Sequence, residues 1–168
     1  MQKPSIHPQE TRRLAALYSY QALDTLPEQS FDDLTKLASQ ICKVPIALVS
    51  LVDENRQWFK SCFGITADET SREISFCGHA ILGSGMMEIP DATKDPRFAD
   101  NPLVTGDMRL RFYAGVPLLD ANNLPIGTIC VIDHQARVLT PQERQGLEAV
   151  GRIVVRQQTW VLAHLRVD

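Results

Sequence analysis

The sequence predicts an α+β protein built on a central antiparallel sheet with both faces covered. Two observations predict it. The first is a hairpin: Phe112–Leu119 and Leu124–Asp133 are apolar runs, and the Asp120-Ala121-Asn122-Asn123 between them is turn chemistry. Two such runs give neighbouring antiparallel strands, and because each is apolar on both faces, neither face of the sheet meets water. The second is placement: amphipathic helical patterns precede and follow the strand-rich middle of the chain.

Taken in order, residues 1–8 carry Pro4 and Pro8 and read as a loose arm. Gln9 to Gln21 has helical spacing, with Leu14, Leu17 and Tyr18 on one face. Asp24-Thr25-Leu26-Pro27-Glu28 breaks it. Ser30 is placed to cap a second helix, in which Phe31, Leu34, Leu37, Ala38 and Ile41 share a face up to Cys42. Val44 to Asp53 is a strand with Ile46, Leu48 and Val52 on one side and Ala47, Val49 and Leu51 on the other, which suits the middle of a sheet. Asp53-Glu54-Asn55-Arg56 turns the chain, and Gln57 to Phe63 returns as a strand ending at Gly64.

A polar loop, Thr66 to Glu73, leads to a short helix that Ser75 caps and Gly83 stops. Glu88-Ile89-Pro90-Asp91 is a short strand end. Ala92 to Leu110 reads as a long irregular segment, and loops of that length tend to be lids or binding loops. After the hairpin, Thr140-Pro141-Gln142-Glu143 is a capping box with proline at the first helical position. The helix it starts is expected over 141–166, with Leu147, Val150, Ile153, Val154, Val161, Leu162 and Leu165 forming a wide apolar stripe.

A chain of 168 residues suggests one domain, here 9–168 behind the arm. Folding at that size buries roughly 68–70% of the unfolded surface, enough for a core without metal or disulfides. A net charge of −3 with no basic stripe argues against a nucleic-acid partner. The Met1-Gln2-Lys3-Pro4 start has no apolar run behind it, so no secretory signal or N-terminal anchor is expected. No stretch approaches the roughly 20 apolar residues that cross a bilayer. Cys42, Cys62, Cys77 and Cys130 sit mostly in apolar patterns and read as reduced thiols of a cytoplasmic protein.

The chain resembles a GAF domain from about Leu14 to about Val155, of the type at the input end of bacterial diguanylate cyclases and sensor histidine kinases. The resemblance is carried by Leu23–Glu28 with Phe31-Asp32-Asp33-Leu34, Pro45–Asp53, Arg56–Ser61, Ser75–Ile81, Asp91–Phe98, and Phe112–Leu118 with Gly127–Asp133. It implies a GAF/PAS-like sandwich: about six antiparallel strands, a typical sheet size, with helices on both faces. The terminal helices would cover one face and the segments between Gly64 and Leu110 the other. In relatives the pocket lies under those segments and holds cyclic nucleotides, tetrapyrroles, small metabolites or nothing known, and the terminal helices commonly pair with a second copy.

Candidate ligand-binding residues follow. Cys77 lies near a helix N-terminus, where a thiol can be acidified and act as a nucleophile. His79 is two residues on, so on a helix it points away from Cys77 and cannot pair with it directly; the plainer reading is a buried cysteine and a pocket-edge histidine. Arg97 reaches an anion and Phe98 closes the pocket, or else Asp95 caps a turn and Arg97 pairs with a neighbouring acid. Asp91 sits in the same long loop; Arg109, Arg111 and Tyr113 approach the pocket-side strand, where one of them could hydrogen-bond a ligand; and Trp58 and Phe76 either line the pocket or are plain core. Bilin photoreceptors of the family bond their chromophore through a cysteine usually followed immediately by histidine; here Gly78 intervenes. The free-methionine-sulfoxide reductases of the family need a further cysteine before the penultimate strand, and Leu103 to Phe112 has none. No metal-ligand spacing and no Gly-rich phosphate loop is present.

The expected function is therefore a non-enzymatic sensory module. It would bind an unidentified small molecule and pass its occupancy to a homodimer contact of the first and last helices, and so to an output domain or partner signalling protein. No cofactor, membrane or nucleic acid is assigned. The alternatives are a thiol-based redox enzyme or sensor using Cys77, and a ligand-free dimerisation scaffold.

Overall fold

The computed structural model describes residues 1–165, with side-chain detail for 1–157. Six strands form one antiparallel sheet: β1 (Ile46–Val52), β2 (Arg56–Phe63), β3 (Glu69–Ser71), β4 (Met87–Ile89), β5 (Phe112–Leu119) and β6 (Pro125–Asp133). Their order across the sheet is β3-β2-β1-β6-β5-β4. The expected α+β sandwich is the observed one. β1 and β6 lie at the centre in register, Leu48 opposite Cys130 and Ser50 opposite Thr128, and both strands are buried along their whole length.

The alternation read from β1 sorts the core. Ala47, Val49 and Leu51 pack with Phe112, Ala114, Ile129 and Val131 against the terminal helices α1 (Glu10–Ser19), α2 (Gln29–Cys42) and α5 (Pro141–Leu165). Ile46, Leu48 and Val52 pack with Tyr113, Cys130 and Ile132 against a roof made of the short helix α3 (Phe76–Ala80) and the segment that follows it. The roof falls between Gly64 and Leu110, as the resemblance implies.

Three elements differ from expectation. The polar stretch Thr66 to Glu73 contains β3, an exposed edge strand pairing Gln57 with Thr70; its polar residues show no alternation by which to be read. The segment Ala92 to Leu110 is not wholly irregular. It holds a 3₁₀ turn at Ala92–Lys94 and a one-turn helix α4 (Pro102–Thr105), started by the Asn101 side chain accepting from Leu103 N at 2.9 Å. Elements this short have no period. Ser30 does not cap α2, which begins at Gln29; its hydroxyl accepts instead from Gln157 Nε2 on α5 at 3.1 Å.

The α1–α2 linker is clasped to β2. Lys60, buried under the linker, donates to Thr25 Oγ1 and Leu26 O, both at 2.8 Å, and pairs with Glu28 at 3.1 Å. Arg56 pairs with Asp24 at 2.8 Å. The Asp24–Glu28 motif thus docks a linker that carries little apolar surface of its own.

Residues 1–8 have no helix or strand, yet they are tied across the roof rather than loose. Gln2 N donates to Arg97 O and Gln2 O meets His79 Nε2, each at 3.1 Å. Pro4 lies so near Gly78 that a Cβ there would meet its Cγ at 2.8 Å. The capping box of α5 forms as expected, Thr140 and Glu143 each bonding the other's backbone N–H. α5 is described to Leu165; Arg166, the expected end, and the side chains of Trp160, Val161, Leu162 and Leu165 lie outside the described residues.

Candidate functional site

The roof is positioned by its caps. Ser75 Oγ accepts from Gly78 N at 3.0 Å, starting α3, and donates to Arg72 O at 2.7 Å. Asn101 Nδ2 donates to Ile74 O at 3.0 Å, fastening the second roof segment to the first. Between them Phe76 stacks on Phe98 with centroids 4.0 Å apart, and Phe76 also meets the Tyr113 ring at 5.3 Å. His79 stands edge-on to Phe98 at 4.8 Å.

The sequence-derived candidates are divided by this arrangement. Phe76, Cys77 and Tyr113 meet under the roof, with Phe98, His79 and Arg97 in the layer above. Arg97 is occupied: its guanidinium pairs with Asp95 at 2.9 Å and lies over the Phe98 ring. The plainer reading of Asp95 as a turn cap for Arg97 N is the observed one. Cys77 and His79 face different partners, as the helical spacing requires. Three candidates lie elsewhere. Trp58 packs on the opposite face, among the terminal helices, because a register shift between Val49 and Ser50 turns β2. Asp91 caps the turn at Thr93. Arg111 donates to Val104 O and Leu110 O, bracing α4, and borders an outer groove with Arg109 and Thr93.

At the centre sits Cys77, 2% exposed. Its sulfur accepts from Thr128 Oγ1 at 3.1 Å and from Tyr113 Oη at 3.2 Å, and lies 4.0 Å from Cys130 Sγ. Burial alone would push the Cys77 thiol up. The Cys130 thiol and the hydroxyls of Thr128, Tyr113 and Ser50 outweigh it and hold it down at about 7. Cys130 moves the other way, raised by its bond to Cys77 and then by burial. Such a pair gives up one proton readily and the second with difficulty. Away from this network burial wins: Cys42 is pushed up to about 12 and Cys62 to about 11.

Sequence reasoning missed Cys130, Thr128, Ser50 and Gln57 as site residues. A signal existed: Ser50, Thr128 and Cys130 fall on the same side of the two central strands, polar positions in otherwise apolar runs. The space they enclose is small. A cavity of about 20 Å³, lined by Gln57, Cys77, Tyr113 and Cys130 among apolar neighbours, has room for about one water; ligand sites run to several hundred Å³. Among the described residues no group of three His, Cys, Asp or Glu side chains is arranged to hold a metal.

A second feature ties the roof to the first helix. Glu10 of α1 is shared by two guanidinium groups, Arg13 at 2.9 Å and Arg72 at 2.6 Å. Arg13 is fully buried and caps the ends of the two central strands through Val52 O of β1 at 2.7 Å and Pro125 O of β6 at 3.3 Å. Arg72 also donates to Asp53 O and Glu54 O. Burial would raise the Glu10 carboxyl, but the bonds from Arg72 and Arg13 hold it at about 2.

Comparison with known proteins agrees with this architecture. The chain is 40% identical over 156 residues to a cyclic di-GMP phosphodiesterase of Pseudomonas aeruginosa; the match takes in 92% of this chain but spans only 27% of that relative. Among solved structures it is similar to a type II free methionine-R-sulfoxide reductase from Thermoplasma acidophilum, with TM-score 0.64 at 12% identity over 77% of this chain and 90% of that one. It is also similar to the GAF domain of an Acinetobacter phosphoenolpyruvate-protein phosphotransferase, with TM-score 0.59 at 17% identity over 94% of each chain. At those identities the structural likeness speaks for the fold alone. A family model for the GAF domain matches residues 26–157, and the chain belongs to that family.

Proposed function

We propose that this GAF domain is a non-enzymatic regulatory input module, relaying the state of its roofed face to α1 and α5. Through those helices, paired in a homodimer, it would act on an attached or partner output in cyclic di-GMP signalling. The output assignment is supported by the 40% identity to one part of a cyclic di-GMP phosphodiesterase. The cytoplasm is the proposed setting; among the described residues no helix is long and apolar enough to cross a membrane.

The observation that carries the relay is the shared carboxylate of Glu10. A roof that lifts must move Arg72, and Arg72 cannot move without releasing the group that also neutralises the buried Arg13 of α1. In the proposal a small molecule enters between the sheet and the Gly64–Leu110 cover by parting Phe76 and Phe98, and favours the raised roof through its different affinity for the two states. A second reading, a ligand-free dimerisation scaffold, is favoured by the cavity of about 20 Å³.

A thermal-shift screen of cyclic nucleotides, amino acids and tetrapyrroles, with native mass spectrometry of the purified chain, separates the two. A true ligand at a hundred times its Kd stabilises by about 2.7 kcal/mol. A broad screen with no shift and no bound mass would leave the scaffold reading in its place.

A further inference from the structure

The thiols of Cys77 and Cys130 face one another beneath the roof at 4.0 Å, on elements remote in sequence, and both are free. We propose that they are a redox pair, which a hydroperoxide oxidises to an intramolecular disulfide tying α3 to β6. This goes beyond the relay proposed above and stands whether or not a small molecule binds.

Three observations carry it. The first is reach. A disulfide bond is about 2.05 Å long, so the sulfurs must close by about 2 Å. One of them sits on α3, a short helix of five buried residues, so the gap is closed by a shift of that single turn against β6.

The second is activation. A buried cysteine among apolar groups is inert, and here burial pushes the Cys42 thiol up to about 12. Cys77 differs because two hydroxyls are bonded to its sulfur, from Tyr113 and Thr128, and both favour the thiolate. Gly115 makes room for one of them: a Cβ there would stand 2.2 Å from Tyr113 Oη.

The third is space. The cavity of about 20 Å³ borders Cys77 and Cys130 together, and hydrogen peroxide, the smallest hydroperoxide, is the oxidant nearest its size.

The chemistry balances. The Cys77 thiolate attacks one peroxide oxygen, the O–O bond breaks, and the departing hydroxide takes up the proton the thiol released, leaving as water. Cys77 is now a sulfenic acid. The Cys130 sulfur attacks it, the S–O bond breaks, and a second water leaves with the Cys130 proton. Peroxide gains two electrons and the two thiols lose them.

The test uses the whole reduced chain and hydrogen peroxide, followed by unfolding in a thiol-alkylating reagent and peptide mapping. The expected result is a linked pair of tryptic peptides, 73–94 with 112–137, which contain Cys77 and Cys130. The two thiols should disappear together while Cys42 and Cys62 are still alkylated, and dithiothreitol should restore both. In Cys130→Ser, Cys77 should halt at a sulfenic acid trapped by dimedone. If that variant does not fold, the map of the unaltered chain decides alone. Recovery of both thiols unreacted, oxidation of Cys77 with Cys130 left free in the unaltered chain, or linkage to Cys42, Cys62 or a second chain would each overturn the proposal.

Discussion

Tyr113 and Gly115 stand two apart on β5 and so share a face, and the tyrosine hydroxyl occupies the space a side chain at 115 would need. Gly115→Ala must push the ring off its bond to Cys77 or off its tilted contact with Phe76. The expected cost is about 1–3 kcal/mol, as for other overpacked cores, read as a lower urea midpoint. Tyr113→Phe isolates the hydroxyl: it should cost only about 1 kcal/mol. It also removes a donor from the thiolate, so the Cys77 pKa should rise, seen by ultraviolet titration of the thiolate. An unchanged titration would mean that Tyr113 only packs. The Glu10 carboxylate gives the molecule an acid limit. Its folded pKa lies below the unfolded one, so its contribution is complete above about 4.5 and lost as pH falls toward about 2. Glu10→Gln should make the loss of stability in acid shallower without removing it, since Asp53 and Asp95 are also held below the usual carboxylate range. At neutral pH it should cost about 2 kcal/mol, less than the ~3–5 kcal/mol of a fully buried pair, since the Glu10 side chain is 17% exposed. Denaturation of both proteins across that window checks it.

At the level of elements, those long enough to show a period were legible from sequence. β1 alternated cleanly, α5 announced itself through Thr140 and Glu143, and the Phe112–Asp133 hairpin paired as read. β3 and α4 were not legible, because three or four residues held by backbone bonds and one side-chain cap leave no pattern. The site was half legible for a related reason. Phe76, Cys77 and Tyr113 were found through the motifs around them. Cys130 and Thr128 were passed over, and of the two readings of Trp58, pocket lining or plain core, the second is the observed one, because β2 slips register against β1 and turns it to the helix face. The buried Arg13–Glu10–Arg72 bridge was invisible for another reason: its members are 62 residues apart at the extremes and look like ordinary surface charges in the chain. Lys60 is the same kind of case, a lysine inside a strand whose partners Thr25 and Glu28 lie in a distant linker. Removing its ammonium in Lys60→Met should leave the sheet intact but free residues 25–28, with amide exchange rising there and not in β1 or β6.

For the molecule as a whole, the proposed relay needs somewhere to end. α1 and α5 both lie on the face of the sheet opposite the roof, and α5 runs on to Leu165 beyond Val154, which is buried against the sheet. Ile153 on the same helix is 43% exposed, and Tyr18 on α1 is 47% exposed. In sequence, Val161 and Leu165 continue the apolar spacing of Ile153 at multiples of four. A second copy of the chain, laid along α5, would bury both and leave the roof free to move. The expectation is a dimer whose population depends on concentration. In the double variant Val161→Glu and Leu165→Glu, like charges would face each other across the contact and the chain should sediment as a monomer with its melting temperature little changed. A monomer in the unaltered chain at high concentration would break the link from roof to output. So would a dimer indifferent to those charges, since its contact would then not run along α5.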